Sequence, residues 1–302
     1  MSHHSVKIDE VLPDLFLVDL DQEPRGFRQF ISAWIYRRNS VTLVIDPGPS
    51  STIPILYRAL RELAVRQVDY ILLTHIHIDH AGGTGALLQH YPETKVNCHP
   101  KGLSHLADPQ KLWEGSLKVL AGLAEAYGKI PAVPEQNLSW NEQLEIGGLT
   151  IDAIETPGHA SHHVCYHIGD LLFAGEVAGV NAPCAKGDYL RIATPPPFYY
   201  EVYENSLLKA AQIKTQHVCF GHYGMRSDGS HIFNMARQQL EIWMRVIAEN
   251  RNTADAQSIF KKLLEEDPSL QHFFDLPEDI QERESYFCLN SIRGMSGYFE
   301  KT

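Results

Sequence analysis

Four side chains that commonly bind metal ions occur within six residues of this chain, in the stretch Thr74-His75-Ile76-His77-Ile78-Asp79-His80. The stretch follows the largely apolar run 68–73, which predicts a strand, and it is followed by Ala81-Gly82-Gly83. Histidine is the commonest metal ligand, and neutral imidazole together with carboxylate suits zinc, iron or manganese. A strand that ends in three imidazoles and a carboxylate predicts a metal site. The alternative is a solvated histidine-rich loop.

Three further metal-binding side chains occur later, each at the end of a predicted strand. Thr-Pro-Gly at 156–158 predicts a tight turn before His159, Glu176 follows the apolar run 171–175, and His222 follows the run 217–220. A solvated strand end is the alternative for Glu176. Seven donors exceed what one tetrahedral zinc ion holds and suit two neighbouring ions with positions left for water. The predicted ligands are His75, His77, Asp79, His80, His159, Glu176 and His222.

Asp46 and one of the adjacent histidines His162 and His163 have predicted supporting roles. Asp46 ends the predicted strand 41–45 and precedes Pro47-Gly48, at the end of a strand where sites gather in layered α/β folds. We expect Asp46 to hold a ligand imidazole by a hydrogen bond, and a purely structural role in the turn is the alternative. His162 and His163 stay outside the metal set because adjacency to a ligand is not ligation.

A stiff, aromatic segment follows Glu176 in the sequence. Three successive prolines at 195–197 predict an extended conformation, and tyrosines lie on both sides of them. This segment is a candidate wall for a substrate pocket, with covering of the core as the alternative. Tyr189, Tyr199 and Tyr223 are candidates to donate a hydrogen bond to an oxyanion.

The pattern of predicted elements changes at residue 230. Before it, short apolar runs alternate with turn signals and short helical patterns; after it, apolar residues recur every three or four positions. We expect residues 1–230 to form one domain and residues 231–302 to form a helical extension that packs on it or contributes to a homodimer. Strands are predicted at 11–20, 31–36, 41–45, 95–99, 138–154, 164–168, 171–176 and 217–220. A helix carrying Ile55, Leu56, Leu60 and Leu63 is predicted, with Ser50 or Ser51 as its cap. Further helices are predicted at 84–91, within 103–127 as short helices, at 203–214, 231–249 and 256–264, and from 286 until Gly294 or Gly297.

Composition limits the class of partner. A net charge of −11 over 302 residues argues against a nucleic-acid backbone, because proteins that bind it present basic surfaces. The sequence contains no run of about 18 apolar residues, so we expect no membrane span. The N-terminus lacks the apolar core of a secretory signal, so we expect no such signal. The five cysteines are dispersed without a C-x-x-C pair, which is typical of reduced thiols in a cytoplasmic protein. We expect a cytoplasmic protein that acts on a small molecule.

The order of these motifs resembles the metallo-β-lactamase superfamily. The resemblance consists of His-x-His-x-Asp-His at 75–80, Thr-Pro-Gly-His at 156–159, an acidic residue after Ala-Gly at 176, and Gly-His at 221–222. It runs from about residue 10 to residue 225 and implies a four-layer αββα sandwich of the α+β class, with metal ions at one edge of its two sheets. A first ion is implied at His75, His77 and His159. A second ion is implied at Asp79, His80 and His222, with Glu176 bridging the two.

Glu176 departs from the family's pattern, which usually has aspartate at this position. The extra methylene moves the carboxylate by about 1 Å or more, which is large against metal–oxygen distances near 2.0–2.2 Å. One ion is then expected to shift, to bind weakly or to lose one of its contacts to this carboxylate. Two divalent ions remain the expectation, with zinc as the first choice and iron or manganese as alternatives.

The resemblance also implies a reaction. A metal-bound hydroxide, formed near neutral pH, would attack an acyl carbon or phosphorus, with Asp79 as a catalytic residue as well as a ligand. The leading hypothesis is hydrolysis of a small ester, thioester or lactone, as in glyoxalase-II-like and lactonase-like members. The alternatives are a phosphodiesterase and a ligand-binding effector with a weakened metal site. Flavin-dependent diiron oxygen reductases resemble the family too, but they normally carry a flavodoxin domain, for which residues 231–302 leave no room, so we do not expect that role.

Overall fold

The computed structural model describes residues 6–187, 189–229 and 231–300. The strands form one seven-stranded sheet, one six-stranded sheet and one two-stranded ribbon. The chain divides into two compact units: unit 1 takes in residues 1–154 and 166–169, and unit 2 takes in residues 155–165 and 170–302. Both units contain strands and helices, as the predicted α+β class requires.

Unit 1 contains the whole seven-stranded sheet, whose strand order follows the order of the chain. Its strands are β1 (Ile8–Leu12), β2 (Leu15–Asp19), β3 (Ser32–Arg38), β4 (Val41–Ile45), β5 (Tyr70–Leu72), β6 (Lys95–Asn97) and β7 (Leu138–Ser139). Strands β1 to β4 pair antiparallel, whereas β4 to β7 pair parallel, with Val44 opposite Ile71. Every residue of β4 is buried, as expected for a continuous apolar run inside a sheet.

Unit 1 also contains helices and a hairpin. The helices are α1 (Ile53–Glu62), α2 (Ile78–Ala81), α3 (Thr84–Leu88), α4 (Pro100–Ala107), α5 (Gln110–Leu120) and α6 (Gly122–Tyr127). The hairpin pairs β8 (Gln143–Ile146) with β9 (Leu149–Glu155). Helix α1 buries a stripe with amphipathic spacing, formed by Ile53, Leu56, Ala59 and Leu60.

Strand β10 (Val164–Ile168) crosses the boundary between the units along the chain. The following strands belong to unit 2 and are β11 (Leu171–Gly175), β12 (Val180–Ala182), β13 (Tyr189–Arg191), β14 (His217–Phe220) and β15 (Met225–Arg226). Its helices are α7 (Tyr200–Ala211), α8 (His231–Asn250), α9 (Ala256–Glu266) and α10 (Glu278–Phe299). Strand β11 pairs parallel with β14, and β12 pairs antiparallel with β13.

The three C-terminal helices share a hydrophobic core with the strands of unit 2. Trp243 of α8 and Met295 of α10 belong to the same buried cluster as Phe220 of β14. After α9, one carboxylate oxygen of Asp267 accepts hydrogen bonds from the side chains of Gln239 (2.6 Å) and Trp243 (2.7 Å). The helices that follow residue 230 therefore pack on strands, while the predicted domain boundary at 230 stays a prediction.

Several element boundaries differ from those predicted. The single strand expected over 11–20 is a hairpin broken at Pro13-Asp14, where Asp14 has a φ of +69°. The predicted capping of α1 by Ser50 or Ser51 is wrong, because a short 3-10 turn at Ser50–Thr52 precedes the helix and no side chain caps it. The last helix begins at Glu278 rather than near 286. No helix of the described residues is long and apolar enough to cross a membrane.

Candidate metal centre

The histidine-rich stretch leaves β5 and enters the short helix α2 in unit 1. His77 is the residue before the first turn of α2, and Asp79 and His80 lie within it. The centroid of the His75 ring lies 4.6 Å from that of His77 and 4.3 Å from that of His80. His75 and His80 are buried, whereas His77 and Asp79 are partly exposed. One loop thus holds three imidazoles and a carboxylate close together.

Asp46 joins the end of β4 to this loop. Its Oδ1 accepts a hydrogen bond from the backbone N–H of Thr74 (2.8 Å), and its Oδ2 accepts from the Thr74 hydroxyl (2.6 Å). The same Oδ2 lies 3.2 Å from His80 Nδ1. Strands β4 and β5 pair parallel, so their carboxyl ends meet at one edge of the sheet. The predicted hydrogen bond between Asp46 and an imidazole is confirmed.

This network decides which nitrogen of two imidazoles carries the proton. An ionised carboxylate only accepts hydrogen bonds, so His80 donates to Asp46 through Nδ1. The Thr74 hydroxyl gives its own proton to Asp46, so its oxygen accepts from His75 Nδ1, 3.0 Å away. In both rings Nε2 then carries the lone pair that a metal ion requires.

Backbone hydrogen bonds join the turn after β4 to the C-terminal end of α2. The N–H of Gly48 donates to the carbonyl of His80 (3.0 Å), and the carbonyl of Gly48 accepts from the N–H of Gly83 (2.8 Å). Asp46 itself has a φ of +49°, in the left-handed region that non-glycine residues rarely adopt. Strain of this kind persists where surrounding contacts impose it, and here the contacts aim the Asp46 carboxylate at the histidine loop.

In unit 2 a single carboxylate joins two imidazoles from different elements. Glu176 follows β11, His222 follows β14, and His159 lies in the loop between β9 and β10. Glu176 Oε2 lies 2.9 Å from His159 Nε2, and Glu176 Oε1 lies 3.2 Å from His222 Nε2. All three side chains are buried. The parallel pairing of β11 with β14 explains why Glu176 and His222 meet.

Electrostatics hold Glu176 in its charged form. Burial raises the pKa of its carboxyl group, but the attraction of His159, and then of His222, together with their hydrogen bonds, outweighs burial. The pKa of Glu176 therefore lies well below its usual range. His159 Nδ1 lies 3.0 Å from the carbonyl oxygen of Ala193, which only accepts, so Nδ1 is the donor. His159 therefore directs Nε2 towards Glu176.

His163 holds the backbone of Glu176 by a hydrogen bond. Its Nε2 accepts a hydrogen bond from the backbone N–H of Glu176 (3.0 Å), so its Nδ1 is the protonated nitrogen. That nitrogen lies 2.9 Å from the Thr156 hydroxyl, which in turn lies 3.3 Å from Cys165 Sγ. The hydroxyl of Tyr203 donates to the carbonyl of Glu176 (3.3 Å). Both backbone groups of Glu176 are thus tied to side chains.

The three candidate tyrosines have different surroundings. Tyr189 is fully buried in the core of unit 2, and its hydroxyl lies 3.9 Å from Cys288 Sγ. Burial raises the pKa of Tyr189 well above its usual range, so its position does not support the predicted oxyanion role. Tyr199 is half exposed before the first turn of α7, and Tyr223 is buried directly after His222. Catalytic roles for Tyr199 and Tyr223 stay predictions.

The donors present suit a borderline metal ion such as zinc. Imidazole nitrogens and carboxylate oxygens are the ligands that zinc uses when no thiolate is available, and the two units supply only these types at the predicted positions. Asp46, His75 and His80 each place a possible ligand atom within 4.8 Å of one another. Because both carboxylate oxygens of Asp46 accept hydrogen bonds from Thr74 and His80, we interpret Asp46 as a supporting residue.

Sequence reasoning missed the groups that orient the imidazoles. Thr74 begins the motif, but its residue type does not indicate that its hydroxyl donates to Asp46 and accepts from His75 Nδ1. The sequence predicts a supporting role for His162 or His163 without choosing between them, and the structure shows that His163 contacts Glu176. The Ala193 carbonyl could not be found at all, because a backbone oxygen leaves no mark in the residue type.

Comparison with known proteins gives consistent results over most of the chain. The family model described as the metallo-beta-lactamase superfamily matches residues 26–222. The metallo-beta-lactamase fold-containing protein ST1585 of Sulfurisphaera tokodaii is 32% identical over 211 residues, which are 68% of this chain and 77% of that protein. The hydroxyacylglutathione hydrolase of Aeromonas salmonicida is 34% identical over 146 residues, 47% of this chain and 44% of that protein. The chain thus spans less than half of that hydrolase.

Solved structures agree on the fold. The archaeal metallo-beta-lactamase superfamily protein ST1585 from Sulfolobus tokodaii superimposes with a TM-score of 0.69 at 26% identity, covering 93% of this chain and 98% of that one. A metallo-beta-lactamase family protein from Thermus thermophilus gives a TM-score of 0.63 at 19% identity, with 94% of each chain covered. The predicted α+β metallo-β-lactamase sandwich with helices after residue 230 is confirmed.

Proposed function

The chain belongs to the metallo-β-lactamase superfamily of metal-dependent hydrolases, and on that premise we propose that it hydrolyses a small ester, thioester or lactone. The observation that carries this proposal is the family match over residues 26–222, which contains every predicted ligand. The ordered imidazoles of each unit support it, because a histidine fixed in one tautomer by a carboxylate or a carbonyl is typical of metal ligands.

We propose that two divalent ions, zinc by preference, bind the strand-end side chains predicted from the sequence. The ligands proposed for the first ion are His75, His77 and His159. Those proposed for the second are Asp79, His80 and His222, with Glu176 between the two. When bound, such ions act as Lewis acids and lower the pKa of bound water towards neutrality.

The protein's own residues prepare this site for hydrolysis. Asp46 and Thr74 hold Nδ1 protonated in two imidazoles, which keeps Nε2 available as a ligand atom. Glu176 brings a buried negative charge, and His163 and Tyr203 fix its backbone. Of the two proposed carboxylate ligands, Asp79 is partly exposed and Glu176 is buried, so Asp79 is the carboxylate better placed to hold or move a proton near bound substrate.

Two observations support a small acyl substrate. Several similar proteins are hydroxyacylglutathione hydrolases, a name that denotes thioester hydrolysis in those proteins. The net charge of −11 disfavours a polyanionic substrate such as nucleic acid.

The state of the cysteines supports a reducing compartment such as the cytoplasm. All five are free, namely Cys98, Cys165, Cys184, Cys219 and Cys288.

Metal analysis combined with a substrate panel tests the proposal. The purified protein and a His77→Ala variant would be assayed for bound zinc, iron and manganese, and for turnover of thioesters, lactones, esters and phosphodiesters. We expect bound zinc and acyl turnover in the wild type, with both reduced in His77→Ala. Turnover of phosphodiesters alone would contradict the acyl assignment. No metal and no turnover would contradict the hydrolase itself and favour a ligand-binding effector.

A further inference from the structure

The backbone carbonyl that orients His159 belongs to a short segment, residues 191–194, that the C-terminal helix α10 holds in place. The first contact is an ion pair between Arg191 and Glu284 of α10, with Arg191 Nε 2.7 Å from Glu284 Oε2. Both side chains are buried. The 191–194 segment is thus anchored to α10 at its first residue by a charge-assisted hydrogen bond.

The second contact is made by a buried hydroxyl group. Ser291 Oγ accepts a hydrogen bond from the backbone N–H of Thr194 (3.2 Å) and donates to the carbonyl of Ile192 (3.3 Å). The Thr194 hydroxyl donates in turn to the carbonyl of Ser291 (3.4 Å). Ser291 therefore bonds the backbone on both sides of Ala193.

One peptide plane connects Ser291 to His159. The N–H of Thr194 and the carbonyl of Ala193 belong to the same peptide unit, which is trans. In a trans peptide these two groups point in opposite directions from a rigid plane. Ser291 fixes the N–H, so it also fixes the direction of the Ala193 carbonyl, which accepts from His159 Nδ1 at 3.0 Å.

The third contact is a close approach that only glycine allows. A Cβ atom at Gly294 of α10 would lie 2.1 Å from the carbonyl oxygen of Thr194 and 3.2 Å from backbone atoms of Pro195 and Pro196. Gly297, one turn further along the same helix, would meet no atom within 4 Å. The helix backbone therefore lies directly against the 191–194 segment at Gly294.

We propose that α10 positions a proposed metal ligand: through Ser291 and Gly294 it sets the Ala193 carbonyl, which fixes the orientation of the His159 ring. This inference rests on the proposed function, because it takes His159 to be a ligand. Ser291 and Gly294 are positioning residues and touch no reacting atom. The helical region after residue 230 thereby contributes to the metal centre as well as to the core of unit 2.

The test compares Ser291→Ala with Ser285→Ala. Both substitutions remove one hydroxyl from α10, but the Ser285 hydroxyl bonds only the carbonyl of Gln281 in its own helix. The first measurement is the zinc dissociation constant, by competition with a chelator. The second is the nitrogen NMR spectrum of the imidazoles in metal-free protein, with the His159 signals assigned from a His159→Gln variant.

We expect Ser291→Ala to weaken zinc binding on the order of 10–100-fold, as is typical when a group that orients a ligand is lost. We also expect the nitrogen signals of the His159 ring to shift in the metal-free protein, because Nδ1 loses its ordered carbonyl acceptor. Ser285→Ala should match the wild type in both measurements. A purely structural role for Ser291 would lower thermal stability without changing the nitrogen signals of the His159 ring.

Gly294→Ala and Gly297→Ala form an independent pair that decides the question if Ser291→Ala does not fold. Gly294→Ala should weaken zinc binding and disturb His159, whereas Gly297→Ala should do neither. The inference is overturned if each variant behaves as its control does while the wild type binds zinc. If the wild type binds no zinc, the proposed function fails, and the NMR comparison alone then decides whether α10 orients His159.

Discussion

At the scale of single residues, one carboxylate in each unit organises two imidazoles, but in different ways. Asp46 approaches its histidines from the side of Nδ1, directly for His80 and through the Thr74 hydroxyl for His75. Glu176 instead approaches His159 and His222 at Nε2. An Nδ1 contact leaves the other nitrogen as the ligand atom, so Asp46 has the geometry of a support and Glu176 that of a ligand.

Replacing Glu176 tests whether its length limits metal binding. If the extra methylene displaces the carboxylate from one of two ions, Glu176→Asp should raise the occupancy of the second ion, measured as metal content per chain by atomic spectrometry. Glu176→Gln is the matched variant, because it keeps the length and removes the charge, and it should lower the content. Unchanged or lower occupancy in Glu176→Asp would count against the argument from length.

The candidate ligands are easier to recognise in the sequence than the groups that orient them. The candidate ligand histidines stand out because three of them share one motif and the others follow glycine at a strand end. The role of Tyr189 could not be decided from the sequence, because an aromatic residue near a proline-rich segment looks the same whether it lines a pocket or fills a core. Its fully buried hydroxyl beside Cys288 depends on α10, which lies far away in the chain.

At the scale of elements, helix α2 depends on a close contact at its C-terminal end. A Cβ atom at Gly83 would lie 2.4 Å from Ile53 Cδ1 and 2.9 Å from the carbonyl oxygen of Gly48. The N–H of Gly83 also donates to the carbonyl of Gly48, so the end of α2 packs directly on the turn after β4. Any side chain at Gly83 would push α2 and His80 away from Asp46.

Gly83→Ala should therefore destabilise the protein by about 1–3 kcal/mol, the usual cost of overpacking a tight contact. It should also lower the zinc affinity, because His80 lies in α2. The control is Gly115→Ala in α5, where a Cβ atom meets nothing within 4 Å. That control should gain about 0.5–1 kcal/mol from helix propensity. Urea unfolding of both variants checks the prediction, and equal stabilities would contradict it.

Element positions were predictable where periodicity was strong. Strand β4 was predicted residue for residue, and α8 to within one residue, because an unbroken apolar run and a regular stripe admit few alternatives. The hairpin at β1 and β2 was read as one strand, because the break at Pro13-Asp14 lies between apolar runs of similar character. The first turns of α10 were missed because they are rich in acidic residues, which weaken the apolar stripe there.

At the scale of the whole molecule, motif order identified the superfamily and its α+β class, which the comparisons confirmed. The division into two compact units was not predictable, because the boundary passes through β10 rather than through a linker with a distinct composition. Nor did the sequence indicate that a charged cluster would be buried with the C-terminal helix. That cluster consists of Arg191, Arg283 and Glu284, each less than a twentieth exposed.

Glu284 pairs with both arginines in the interior of unit 2. Arg191 Nε lies 2.7 Å from Glu284 Oε2, and Arg283 Nε lies 2.9 Å from Glu284 Oε1. Burial raises the pKa of the Glu284 carboxyl, but the attraction of Arg191 and then of Arg283 outweighs it and lowers that pKa to about 2. Removing the charge would leave two buried cations uncompensated, which is costly in a low-dielectric interior.

This lowered pKa predicts how stability depends on pH. The folded pKa of about 2 lies below the ordinary value of 4.5, so the unfolded chain binds a proton more readily. The stabilisation from ionised Glu284 is then complete above about pH 4.5 and is lost as the pH falls towards 2. Its size is on the order of 3 kcal/mol, because the two pKa values differ by roughly 2.5 and each pKa unit corresponds to about 1.36 kcal/mol.

The free energy of unfolding of metal-free protein, measured in urea between pH 7 and pH 3, tests this prediction. Metal-free protein is required because protonation of ligands would otherwise add the loss of bound ions to the result. Other carboxylates titrate in wild type and Glu284→Gln alike, so the difference between the two proteins isolates Glu284. We expect that difference to be constant above about pH 5 and to shrink below about pH 4.5. A difference that stays constant down to pH 3 would contradict this prediction, because it would show that folding does not lower the pKa of Glu284.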